Sequence, residues 1–362
     1  MLKVLRSGRA SRRKPSARRR VLGRDYRWGW GDWSTERKCP QRLSLSAEAE
    51  NSFHQQFALV GFDPHPGTNR ADYGRGMVGS SFDPSAYKRT TRDQWDASGV
   101  GYDAWGATIQ SVIRPAAVEM LETMGVDEGS SVLELACGSG AFTQLLADRV
   151  GADGHVVATD LSPGMVALAS ANADRSGLSQ VEVREMDGEV FEFHGQRFDA
   201  VVSSLGLMFF PDPESSLRAQ NSALAPGGRV GAIVISGPAA NPFFSVPAQV
   251  IGARAGIAPP APGVPGPFAL GDPGRLAWLY EAAGLSNVAA WTVPAAVQLE
   301  SVDEHLRFLK DAFGALHMLM QDMSDDEQAD TWGAVAEALA EYEGPDGFVS
   351  PAELLVCTGT AD

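Results

Sequence analysis

The stretch Ser131-Val132-Leu133-Glu134-Leu135-Ala136-Cys137-Gly138-Ser139-Gly140-Ala141-Phe142 decides how this chain folds. A short apolar run ends in a carboxylate, breaks into Gly-x-Gly, and continues as Thr143-Gln144-Leu145-Leu146-Ala147, the opening of a helix. Glycine lets the backbone turn sharply and approach a ligand, so the pattern predicts a βαβ unit with a nucleotide-type site at its first turn. The next apolar run, His155 to Thr159, ends in Asp160, about twenty residues past the glycines, where a carboxylate can accept hydrogen bonds from both hydroxyls of a ribose.

This spacing alone does not choose the ligand, because nicotinamide dehydrogenases also carry an acid at the second strand end. Two features count against a dinucleotide. Thr143 replaces the third glycine of G-x-G-x-x-G, and Glu134 sits four residues before Gly138, where a doubly anionic pyrophosphate is poorly served by an added carboxylate. A cationic ligand suffers no such penalty.

Further along stand Met186-Asp187-Gly188, the run Phe198 to Asp212 and Leu224-Ala225-Pro226-Gly227-Gly228-Arg229-Val230, with Asp160-Leu161-Ser162-Pro163-Gly164-Met165 before them. With these four motifs in this order the chain resembles the class I S-adenosylmethionine-dependent methyltransferases, and within them the small-molecule branch of the ubiquinone and menaquinone biosynthesis type. The resemblance is strong from about residue 100 to 236 and looser beyond. It implies S-adenosyl-L-methionine as cofactor. Gly138, Ser139 and Gly140 would pass under its methionine part, with Glu134 below the turn. Asp160 would hold the ribose, Leu161 and Met165 would flank the adenine, Asp187 would accept from the adenine amino group, and the Gly188 amide would meet a ring nitrogen. Ser204 and Leu205 would lie beside the methionine and face the acceptor.

Composition bounds the rest. The chain has 362 residues, 44% hydrophobic and 21% charged, enough for one large α/β domain with extensions. No run reaches the ~18 apolar residues of a membrane helix. Cys39, Cys137 and Cys357 have no metal or C-x-x-C spacing, so a reducing, cytoplasmic compartment and no bound metal are expected. The net charge of −15 is unevenly spread: residues 1–76 hold 16 Lys/Arg against 7 Asp/Glu, residues 77–362 hold 14 against 38. The basic segment reads as a nucleic-acid arm, an organelle transit peptide, or an extension that plays no part in the fold, disordered or upstream of a misassigned start at Met77. The last is favoured, because the composition breaks there and so acidic a remainder repels a phosphate backbone. Residues 77–362 are then the methyltransferase domain, with a cofactor-binding core at about 101–236 and lid and substrate-side elements at about 237–345.

The coarse pattern is an amphipathic helix from Gly101 through Leu121, then alternating β and α as far as a fifth strand at Arg229–Ile235. Nine of the 22 prolines fall between Pro238 and Pro273, which precludes a long helix through 258–271 and reads as a lid. A helix at 275–283, a strand at 287–299, helices near 302–320 and 325–343, and a strand near 354–358 follow. The resemblance implies a Rossmann-like, seven-stranded, mostly parallel sheet with helices on both faces, its last strand antiparallel, and the two helices between the final strands an insertion.

Ligands of open α/β sheets sit beyond the carboxyl ends of the strands. His155 and His194 precede strands and read as solvated loop residues, whereas His305 and His317 fall on the insertion near the substrate side. Methyl transfer from a sulfonium needs alignment and exclusion of water more than a base. If the acceptor must lose a proton, His317 is the candidate, against the plainer reading of a helix-surface histidine. Tyr102 and Trp105 are candidates to close over the cofactor or to anchor the core, and Met318, Met320 and Met323 read as gap-filling core. Phe243, Phe244, Val246, Ile251, Ile257, Phe268, Phe308 and Phe313 make the lid and insertion apolar, with Arg254 the one cation between Pro238 and Leu270, so an apolar or aromatic small molecule is expected as acceptor and nucleic acid is not. A non-catalytic cofactor-binding protein and an NAD(P)-dependent oxidoreductase remain as alternatives. For the latter, Lys88 and Lys310, the only lysines after Met77, stand in no catalytic motif.

Overall fold

A computed structural model describes residues 82–362 except His194, Pro259, Ala261 and Pro262. The expectations for residues 1–76 and for His194 lie outside the described residues.

The chain runs α1 (Pro84–Ala104), α2 (Gly106–Met124), β1 (Ser131–Leu135), α3 (Ala141–Val150), β2 (His155–Asp160), α4 (Pro163–Ser176), β3 (Val181–Glu185), β4 (Phe198–Ser204), α5 (Pro213–Ala223) and β5 (Leu224–Ile235). It continues with α6 (Pro242–Ala255), α7 (Pro273–Ala282), β6 (Ser286–Leu299), α8 (Val302–Ala312), α9 (Gly314–Leu319), α10 (Asp325–Leu339), the two-residue β7 (Glu343–Gly344) and β8 (Gly347–Thr360). One start signal recurs. Asp83-Pro84, Ser162-Pro163, Asp212-Pro213 and Asp272-Pro273 each place a side-chain acceptor over the first turn and a proline at a position that needs no N–H.

The sheet order is β3-β2-β1-β4-β5-β8-β6, with β7 paired to the start of β8. β1 pairs in parallel with β2 and with β4, so the chain reverses direction across the sheet at β1. β8 runs antiparallel to both β5 and β6. β1 is buried at every residue but its first, as a central parallel strand covered on both faces must be. Helices α2 and α3 pack together, as do α5 and α7, and the right-handed crossovers β1-α3-β2 and β4-α5-β5, which step in opposite directions, put the two pairs on opposite faces. Ile109, Ile113, Ala116, Ala117, Met120, Leu121 and Met124 form the buried stripe of α2 at helical spacing.

The α/β sheet with its antiparallel last strand is as expected; several elements differ in extent. The helix expected from Gly101 is two helices that break at Trp105, and α1 begins 17 residues earlier, at Pro84. The Pro238–Pro273 segment contains α6, which accommodates Pro247 within it, while the described residues of 258–271 carry no helix. The insertion holds three helices, because the expected 302–320 helix breaks at Phe313 before Gly314. β5 and β8 are each longer than expected.

Candidate active site

The carboxyl ends of β1, β2 and β4, the loop after β3 and the inner face of α1 enclose a cavity with about 1040 Å³ of space, open mouth included. Gly138 is at φ 56° and Gly140 at φ 95°, left-handed conformations that L side chains rarely adopt, so the Gly-x-Gly turn is required by the backbone itself. The turn is tied to the next strand: Gly138 N donates to Asp160 Oδ2 at 2.9 Å, while Asp160 Oδ1 accepts from Ser162 N at 2.9 Å. Burial pushes the Asp160 pKa up, and the backbone N–H groups of Ser162, Gly138 and Leu161 pull against that shift.

Glu134 is buried on the same wall and takes a 2.6 Å hydrogen bond from Thr143 Oγ1. Thr143 therefore earns its place in the glycine motif as a partner for the strand carboxyl. Desolvation raises the Glu134 pKa to about 8, with the nearby Asp160 adding to the shift and the Thr143 hydroxyl opposing it. The Cys137 thiol beside them is pushed well up by burial and by the same two carboxylates, which makes it inert as a nucleophile. Tyr102 faces the turn, its ring 3.6 Å from where a Gly138 Cβ would stand, and burial with the Asp160 charge takes its phenol to about 12.

Two non-glycine residues on this wall also adopt left-handed backbone, Ala136 after β1 at φ 55° and Leu205 after β4 at φ 58°. Each stores on the order of 1–2 kcal/mol of backbone strain. Next to Leu205, the buried Ser203 and Ser204 hydroxyls find no hydrogen-bond partner among the described residues, and Ser204 lines the cavity. A ligand that offers polar groups at the ends of β1 and β4 fits this wall.

Past β3, Lys88 of α1 reaches Asp187 at 3.0 and 2.7 Å and also pairs with Glu189. Phe210 lies so close to Gly188 that any Cβ there would stand 2.6 Å from its ring. Trp95 packs edge-on against Tyr102 and Phe209, with ring centroids 5.3 and 6.0 Å away. The cavity lining thus combines four acids, Glu134, Asp160, Asp187 and Glu189, with the aromatic rings of Trp95, Tyr102, Phe142 and Phe209.

Of the residues expected at the site, Glu134, Gly138, Asp160, Leu161, Met165, Asp187, Gly188, Ser204 and Leu205 line the cavity. Ser139 and Gly140 do not. The Ser139 carbonyl accepts from Asn172 Nδ2, and the α-carbon side of Gly140 packs on Ala169, so both serve the joint between turn and helix. His317 is not brought to the cavity: its Nε2 lies 2.9 Å from the Lys310 carbonyl and its ring faces Trp332. Trp105 donates to Asp311 and packs on Phe308, outside the cavity. The expected lid aromatics pack on one another instead: Phe244 on Phe243, Phe268 and Phe313, and Phe308 on Phe313. Residues missed in the sequence are Lys88, Arg92 and Trp95, all on α1. Asp83-Pro84 signals that helix, and 88, 92, 95, 99 and 102 then fall on one face.

A family model described as a methyltransferase domain matches residues 132–228. Nocamycin O-methyltransferase of Saccharothrix syringae is 32% identical over 199 residues, which cover 52% of this chain and 69% of that protein. The chain belongs to the class I S-adenosylmethionine-dependent methyltransferase family. Other methyltransferases match over shorter spans. An aklanonic acid methyltransferase of Streptomyces sp. (strain C5) is 32% identical over 146 residues, 40% of this chain and 65% of that protein. A demethylmenaquinone methyltransferase of Listeria welshimeri is 30% identical over 120 residues, 33% of this chain and 51% of that protein. Among the described residues no helix is long and apolar enough to cross a membrane.

Proposed function

We propose that this methyltransferase-family chain transfers a methyl group from S-adenosyl-L-methionine to an apolar or aromatic small molecule. The observation that carries this reading is the pair Glu134 and Asp160: a buried carboxyl and a half-buried one on adjacent strands, facing one cavity, with no ion-pair partner among the described residues. A cation bound beside Glu134 would draw its raised pKa back down and ionise it, whereas a pyrophosphate would push it higher still, so such a wall suits a cationic ligand with a ribose and disfavours a dinucleotide.

The cofactor supplies a methyl group already activated on a sulfonium. The chain's part is to bind, orient and exclude water. Asp160, held by backbone N–H groups, keeps lone pairs for ribose hydroxyls. Asp187 and the Gly188 amide present an acceptor and a donor to the adenine edge, with Leu161 and Met165 as its apolar flanks. Glu134 and the Gly138 turn serve the methionine end, and the free Ser204 hydroxyl with Leu205 faces the acceptor. Alignment in a water-poor pocket is the main catalytic device. Support for an apolar acceptor comes from Trp95, Tyr102, Phe142 and Phe209 rather than from the lid aromatics. The three relatives named above act, by their names, on aklanonic acid, nocamycin and demethylmenaquinone. Small-molecule metabolism in the cytoplasm is the setting this reading implies.

The test is a screen with methyl-labelled S-adenosylmethionine. Label is expected in aromatic or polyketide-like small molecules and not in RNA, DNA or highly phosphorylated acceptors. Transfer to nucleic acid would refute the substrate class.

A further inference from the structure

Helix α1 forms one side of the cavity, yet it is not held there as the other helices are held. Of its 21 residues Gly99 alone is fully buried, and Val100 is 77% exposed, whereas α2 buries seven residues. Over the cavity α1 is fastened largely by polar contacts, beside the packing of Trp95 on Phe209. Lys88 bridges Asp187 and Glu189. Two turns along, Asp96 accepts from Gly164 N at 2.9 Å and from the Ser162 hydroxyl. Another two turns on, Asp103 accepts from Asn172 Nδ2 at 2.6 Å, and the same amide group donates to the Ser139 carbonyl of the glycine turn. Positions 88, 92, 96, 99 and 103 lie along one stripe at helical spacing.

The Lys88 and Asp96 anchors land on the segments that build the nucleoside end of the site, whereas Asn172, the partner of Asp103, lies on α4. Ser162 follows Asp160 by two residues, and Asp187 and Glu189 flank Gly188. Without Lys88 the carboxylates of Asp187 and Glu189, the latter with its side chain 7% exposed, would stand side by side on one loop without their shared cation. Burial draws the Lys88 ammonium down, but hydrogen bonds and charge from Asp187 and Glu189 outweigh it and hold its pKa above the ordinary value. Lys88 is therefore a cation at any working pH. An apolar seam holds shut against salt; a charged one weakens in it.

We propose that Lys88 is a positioning residue that latches α1 as a strap over the nucleoside end of the cavity, and that release of this latch gates entry and exit of the cofactor. This rests on the methyltransferase reading, with Asp187 and Gly188 at the adenine end. The latch makes the acidic loop serve twice, as acceptor for the ligand and as catch for the strap. Cofactor residence and α1 docking are then one event.

The full chain, its Lys88→Met and Lys88→Arg variants and an Arg307→Gln control on the exposed face of α8 test the proposal. Hydrogen exchange without ligand reads the strap, and stopped-flow release of S-adenosylhomocysteine reads the gate. Lys88→Met is expected to speed exchange across residues 84–104, but not 106–124, and to speed release, each by roughly tenfold. Raised salt should move wild-type exchange the same way, Lys88→Arg should restore most of both rates, and the control should change neither. Unchanged exchange in Lys88→Met overturns the latch, and faster exchange with unchanged release overturns the gate. A wild-type chain that holds no S-adenosylhomocysteine overturns the methyltransferase reading instead, while the ligand-free exchange comparison still reads the latch.

Discussion

Glu134 and Asp160 show how far single residues were legible. Both were expected from the sequence, because a carboxylate at the end of a central strand and a glycine turn beside it fix their own positions through backbone geometry. Ser139 and Gly140 were expected on the cavity and lie behind it, since a turn shows its ligand some of its residues and uses the others to seat the following helices. Glu134 carries a pH signature. Its pKa is about 8 folded against the ordinary 4.5, so between those values the folded chain keeps a proton that the unfolded chain has lost. Folding stability at this carboxyl is complete below pH 4.5 and declines as pH rises towards 8, by on the order of 2–5 kcal/mol. Glu134→Gln removes the titration and keeps an acceptor for Thr143. Thermal melts should show the variant level with wild type near pH 5 and more stable near pH 8; equal melts at both pH values would contradict a buried, unpaired carboxyl.

Elements were legible where a local signal stood alone and illegible where packing decided. The βαβ units follow from apolar runs and turn residues. Helix α1 was missed although Asp83-Pro84 announces it, because its polar surface lacks the apolar stripe by which helices are usually found. The lid and insertion were read correctly as apolar but wrongly as cavity lining: Phe243, Phe244, Phe308 and Phe313 pack among themselves, and periodicity does not say which neighbour an apolar face meets. His305 pins this lobe. It is buried, its Nε2 lies 2.9 Å from the Phe243 carbonyl, and its ring stacks on Phe348 at 4.4 Å. Desolvation lowers its pKa from 6.5 to about 4, against the opposing pull of the Phe243 carbonyl. Unfolding therefore takes up a proton between these values, so the contribution is fully present above pH 6.5 and lost as pH falls to about 4, up to roughly 3 kcal/mol. His305→Gln can donate to the same carbonyl without titrating. Denaturant melts from pH 7 to 4 should flatten in this variant, and a slope matching wild type would rule out His305 as the source.

At the scale of the whole molecule, fold class and cofactor class were both readable from four motifs in order, because an open parallel sheet fixes where ligands bind and the acids there fix what charge they carry. The acceptor was not readable, since the aromatic lining of the cavity is assembled from α1, α3 and the loop after β4, distant in sequence and joined only by the fold. The strongly acidic balance of residues 77–362 agrees with a small-molecule acceptor and opposes nucleic acid. On the proposed function this cavity takes S-adenosylmethionine and not a dinucleotide. Calorimetric titration of the full chain with S-adenosylhomocysteine and with NADH, repeated on Asp160→Ala, tests it most directly. One S-adenosylhomocysteine is expected per chain, bound about ten- to a hundredfold more weakly by the variant, and no NADH. Preference for NADH, or S-adenosylhomocysteine bound equally well without Asp160, would contradict it.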